Sequence, residues 1–148
     1  MSTLVVQEVV SEVVQEIERS TNVNLYAIRP RLYIHNAPAG SIKIQIRDSN
    51  GYVIGESETL TIANIKTDAG AGNFYHGYIR FLCSIPLMAN TVYQVAVVGT
   101  GGYAYNSSAY VGVCCEFENR KYSVDYSPND GTRSPLDIEF WERVNKWG

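Results

Sequence analysis

The sequence predicts an all-β protein: an antiparallel β-sandwich of Greek-key or jelly-roll type, with about eight strands, behind a helical N-terminal arm. Three observations predict it. From Asn24 onward apolar and polar residues alternate with period two, the spacing of a half-buried strand. The alternating runs are short and separated by Gly, Pro, Asn and Asp, the residues that form tight turns. After residue 22 no run has the three-four apolar spacing of an amphipathic helix.

The elements follow in order. "NLYAIRPRLYIHN" alternates in places and breaks at Pro30, which predicts an edge strand or a bulge there. In "SIKIQIRDSNGYVIGES", Ile42, Ile44 and Ile46 face one way, and Lys43, Gln45 and Arg47 the other. Asn50-Gly51 then predicts a hairpin turn with positive φ angles, and Tyr52 to Glu56 is the return strand. "TLTIAN" and the Gly-rich run Thr67 to Asn73 lead to "FYHGYIRFLCSI". There Tyr78, Arg80 and Leu82 lie opposite Ile79, Phe81 and Cys83. "PLMANT" makes a turn, and "VYQVAVVG" is apolar enough for a strand covered on both faces. The loop "TGGYAYNSS" leads into "AYVGVCCEFE"; "KYSVDY", the turn cluster "SPNDGTRS" and "PLDIEFWERV" complete the series.

Residues 5–18, "VVQEVVSEVVQEIE", do not fit this pattern. As one continuous strand they would mix valine and polar residues on both faces. As a helix, Val6, Val10, Val13 and Ile17 form a stripe, flanked by Val5, Val9 and Val14. Valine is a mediocre helix former, and Glu8, Glu12 and Glu16 repel one another at i,i+4, so this helix needs a surface to pack on. Seven β-branched residues exceed what one capping helix needs. The expectation is therefore an assembly arm over 1–22, with Val6, Val10, Val13 and Ile17 as its interface. The sandwich follows over 23–143, and 144–148 form a C-terminal tail.

Charge is divided in the same way. The net charge is −3, and residues 1–20 carry all of it, with four glutamates against Arg19. A neutral body with an acidic arm argues against nucleic acid as a partner. No run is long and apolar enough for a membrane span, and no basic leader precedes an apolar run. Three cysteines, two of them adjacent (Cys114 and Cys115), make no disulfide framework, so reduced and mostly buried thiols are expected, together with synthesis in a reducing cytoplasm.

No catalytic signature emerges, and the chain is expected not to be an enzyme. His35 and His76 lie on different strands without ligand-spaced partners, so no metal or cofactor is assigned. Glu116, Glu118, Asp125 and Glu139 read as solvent-facing carboxylates rather than glycosidase acids. "DSNG" reads as a turn, and Asp125 and Asp130 leave room for a structural calcium ion. The informative patch is "GTGGYAYNSSAY", Gly99 to Tyr110. Tyrosine interspersed with Ser, Gly and Asn suits adaptable recognition, and tyrosine faces stack on sugar rings. Tyr103, Tyr105, Asn106 and Tyr110 are the candidate ligand or glycan contacts.

The turn-into-strand "PLMANTVYQVAVVG", the aromatic loop before "AYVGV" and the closing "SPLDIEFWE" resemble the jelly-roll modules of bacteriophage tail fibres, baseplates and capsid decoration proteins, and carbohydrate-binding modules. The resemblance runs from about Asn24 to Glu142 and implies a sandwich with a structural or binding role and no catalytic residues. The leading expectation is thus a virion component, either capsid decoration or tail/fibre, made in the host cytoplasm. It would multimerise with copies of itself, as in a trimer, and bind another virion protein. The second is a carbohydrate-binding module or adhesin that uses the tyrosine loop.

Overall fold

A computed structural model of the chain describes residues 4–65, 74–75, 79–116, 137–138 and 140–146. The Gly-rich run 67–73, His76, Tyr78, the strand expected at "KYSVDY", Glu118, Asp125, Asp130 and Glu139 lie outside them. The fold is all-β and sandwich-like, with every strand pairing antiparallel.

Three sheets share one core. The first orders β1 (Leu4–Glu8), β11 (Tyr110–Glu116), β4 (Leu32–His35) and β8 (Phe74–Tyr75), with β12 (Asp137–Ile138) also paired to β11. The second orders β2 (Glu12–Glu18), β10 (Val92–Thr100), β5 (Ser41–Asp48) and β6 (Val53–Glu56), with β7 (Leu60–Thr61) against β5. The third is β13 (Phe140–Lys146), β3 (Val23–Pro30) and β9 (Ile79–Leu87). Only Arg31 separates β3 from β4, so the break expected at Pro30 is where one run of chain passes from the third sheet to the first. Ile17, Leu25, Leu32, Ile42, Ile44, Ile46, Ile79, Val95, Val111 and their neighbours form a single buried cluster drawn from all three sheets. Ile42, Ile44 and Ile46 are fully buried, as their alternation predicts.

The N-terminal segment corrects the helical expectation. It forms two strands, each at the edge of a different sheet: β1 pairs with β11 and β2 with β10. The chain leaves one ladder and joins the other within two residues. Val9 N–H donates to Val111 O at 2.8 Å, and Ser11 O accepts from Gly99 N at 3.0 Å. That crossing resets the phase of alternation, which explains why no single strand register over 5–18 looks clean. Val9 and Ile17 are fully buried and Val13 packs partly against the core, whereas Val10 is 62% exposed and Val14 42% exposed. Two ladders of backbone hydrogen bonds, with β-branched residues suited to strands, replace a helix that glutamate repulsion would weaken.

Two smaller expectations are also corrected. In the β5–β6 hairpin only Gly51 takes positive φ, at +91°, and Asn50 does not. The turn is instead built by Asp48, whose Oδ1 accepts from the N–H groups of Asn50 (2.9 Å) and Tyr52 (3.0 Å). Cys83 is exposed rather than buried, because β9 breaks register with β3 between the Leu25–Ile85 and Ala27–Arg80 pairs. Leu82 is exposed on the outward face it shares with Arg80, as alternation opposite Ile79 and Phe81 places it.

Candidate functional site

The site lies on the outer face of the first sheet, where β4, β11 and β1 run side by side. Leu32, Ile34, Val111 and Val113 point into the core, so alternation turns Tyr33, His35, Tyr110 and Gly112 outward. Register sets them in rows. Glu8, Gly112 and Tyr33 align across the three strands, and Tyr110 sits opposite His35 in the next row. Gly112, which lies between Glu8 and Tyr33 in that row, is itself buried.

The rings form one continuous group. His35 lies 4.9 Å from Tyr110, Tyr33 5.8 Å from His35, Tyr105 5.9 Å from Tyr110 and Tyr33 6.2 Å from Tyr110, centroid to centroid. These separations are those of packed aromatic pairs. Tyr105 comes from the loop that follows β10, and its hydroxyl donates to Glu8 Oε1. That bond, followed by burial and the Glu8 charge, holds the Tyr105 hydroxyl above its ordinary pKa. Tyr110 is also raised, first by burial and then by the Glu8 charge.

The rim is fixed by hydrogen bonds. Asn36 Nδ2 donates to Ser108 O at 2.6 Å and approaches His35 Nε2 at 3.4 Å, while Tyr33 Oη lies 3.2 Å from His35 Nδ1. Both ring nitrogens of His35 thus face polar side chains, Tyr33 on one side and Asn36 on the other. Asn36 and Ala37 carry positive φ angles of 52° and 38°, an uncommon conformation that the Asn36–Ser108 bond helps to retain.

The four residues expected to contact a ligand divide. Tyr105 and Tyr110 are in the patch. Asn106 is exposed at the loop tip, with its Oδ1 already accepting from Ser108 N at 2.8 Å. Tyr103 is not in the patch: it packs against the core, its hydroxyl donating to Val9 O at 2.6 Å and accepting from Val111 N at 3.1 Å. Burial raises its pKa first, with the Val111 bond opposing. Glu8, Tyr33 and His35 were missed, and only register could have found them, because their chain positions are far apart.

Of the expected arm interface, Val10 is exposed, Val13 is half-buried and Ile17 is inside the core; Val6 lies on β1, paired with Cys114. A second hollow, lined by Thr59, Leu60, Thr61, Asn64, Ile65 and Tyr75, offers hydroxyls and an amide and no ionised lining group. Among the described residues no cluster of His, Cys, Asp or Glu could hold a metal ion, and no helix is long and apolar enough to cross a membrane. No protein-family model, curated protein or solved structure matches the chain.

Proposed function

We propose that the protein is a non-enzymatic module of jelly-roll type that binds a carbohydrate on the outer face of its first sheet. The carrying observation is the joining of Tyr105 from the loop with Tyr110 from β11, Tyr33 and His35 from β4, and Glu8 from β1. Apolar ring faces that share a surface with hydroxyl, imidazole and carboxylate groups suit a sugar, which offers both C–H faces and hydroxyls. Held on paired strands and a short hydrogen-bonded turn, the rings lose little freedom on binding.

The jelly-roll reading is supported by the way the chain passes back and forth between sheets, from β1 to β2, β4 to β5 and β10 to β11. A place in a virion, as capsid decoration or as a tail or fibre part, is a second reading. Exposed Val14 on the edge strand β2, with exposed Val10 at the crossing before it, favours it, since they leave apolar surface for a neighbour.

A glycan array followed by calorimetry tests the first reading. Tyr105→Ala with Tyr110→Ala should remove binding, because aromatic anchors commonly contribute about 2 kcal/mol or more each. The thermal midpoint should stay within a few degrees. Absence of any glycan ligand for the native chain, or unchanged binding by the double variant, would sink the reading.

A further inference from the structure

The charge on the patch is as informative as its rings. Glu8 is a half-buried carboxylate beside Tyr105 and Tyr110, and among the described residues it has no ion-pair partner. The other two edge-strand ion-pair geometries resolve differently: Glu12 is matched by Arg47 and Glu56 by Lys43, each within 3 Å. Arg31, which lies just before β4, already has a partner of its own. The Tyr105 hydroxyl occupies one carboxylate oxygen, and among the described residues no cation pairs with the charge.

Electron-rich ring faces attract cations, and a carboxylate beside them adds a charge-assisted acceptor. An anionic ligand would meet the same carboxylate, with no ion-pair partner of Glu8 among the described residues to offset it. We infer that the ligand of this patch is a glycan bearing a free ammonium group, an amino sugar, with the ammonium seated between the Glu8 carboxylate and the Tyr105 and Tyr110 rings. The inference rests on the carbohydrate-binding reading and adds the charge of the sugar to it.

The test uses the full chain and three oligosaccharides of equal length, measured by calorimetry at mildly acidic pH. One is a glucosamine oligomer, one its fully N-acetylated counterpart, and one a galacturonate oligomer. The glucosamine oligomer should bind about tenfold tighter than the acetylated one, roughly what a single charge-assisted hydrogen bond confers, and the galacturonate should bind weakest. Glu8→Gln keeps an acceptor for Tyr105 and removes the charge. It should bring the first two ligands to within about twofold of each other, mainly by weakening the glucosamine oligomer. Glu8 lies on an edge strand, so the variant should fold, which its melting curve checks.

Equal affinity of the native chain for the charged and acetylated oligomers overturns the ammonium inference and leaves carbohydrate binding standing. So does a preference that survives Glu8→Gln. Failure of all three to bind, on a chain that melts normally, overturns both readings. Free choline binding as tightly as the glucosamine oligomer would overturn the sugar part of the assignment, because the cation alone would then suffice.

Discussion

A single hydroxyl joins two crossings of the chain. Tyr103 sits where β1 passes to β2 and where β10 passes to β11, and its oxygen bonds backbone groups of Val9 and Val111. Two glycines make space for it: a Cβ on Gly99 would lie 2.3 Å from the Tyr103 ring, and one on Gly40, whose φ is +96°, 2.3 Å from the Tyr103 backbone nitrogen. Tyr103→Phe keeps the ring and removes the oxygen, leaving a carbonyl and an N–H unmatched near the core. Urea denaturation should show a loss of about 1–3 kcal/mol. A change within error would mean that water replaces both bonds. Nothing in the residue types separates Tyr103 from Tyr105 and Tyr110. The distinction lies in the Gly101–Gly102 turn, with φ of 60° and 87°, which returns Tyr103 over the end of the sandwich.

At the scale of elements, β2 depends on Ile17, which is fully buried opposite Tyr93 of β10. Ile17→Ala should cost about 2–5 kcal/mol in chemical unfolding, the range for emptying a core site of this size. An effect below about 0.5 kcal/mol, as at the surface, would show that the segment is an arm resting outside the core. Several strands were legible in the sequence: β5 forms where alternation places it, β6 after the Asn50-Gly51 turn, and β10 over the apolar run that follows "PLMANT". The first eighteen residues were not, because periodicity assumes one unbroken element and here the chain changes sheets at Val10–Ser11. The site was half legible. Loop composition pointed to Tyr105 and Tyr110, but Glu8, Tyr33 and His35 join them only through strand register, which no local window contains. The Glu12–Arg47 pair, with contacts of 2.9 and 3.0 Å, also depends on register, reaching from β2 past β10 to β5.

For the molecule as a whole, the shared core and the tyrosines together set an alkaline limit. Tyr103, Tyr105 and Tyr110 all have pKa values raised above the ordinary 10.0. A tyrosine with a raised folded-state value holds its proton more tightly folded than unfolded. Its contribution is therefore complete below the unfolded value, about 10, and is lost as pH rises through the higher folded value. Because one core spans all three sheets, this loss should appear as a single cooperative transition that moves to lower temperature above about pH 10. Tyrosinate absorbance followed beside circular dichroism checks it. Tyrosines that ionise in the ordinary range while the fold persists would show that Glu8 and burial do not act on them.

The crossing of β1 and β2 also dictates an order of synthesis. Their partners are β11 and β10, so neither strand can pair natively until residues 92–116 have left the ribosome. Until then two valine-rich strands wait with both edges open, beside identical strands on neighbouring nascent chains, a setting that favours intermolecular β-pairing. Glu8, Glu12, Glu16 and Glu18 set like charges against like in such pairings, and so protect the segment during its wait. The acidic repeat then has a use before the protein is finished: it keeps each growing chain available to its own late strands.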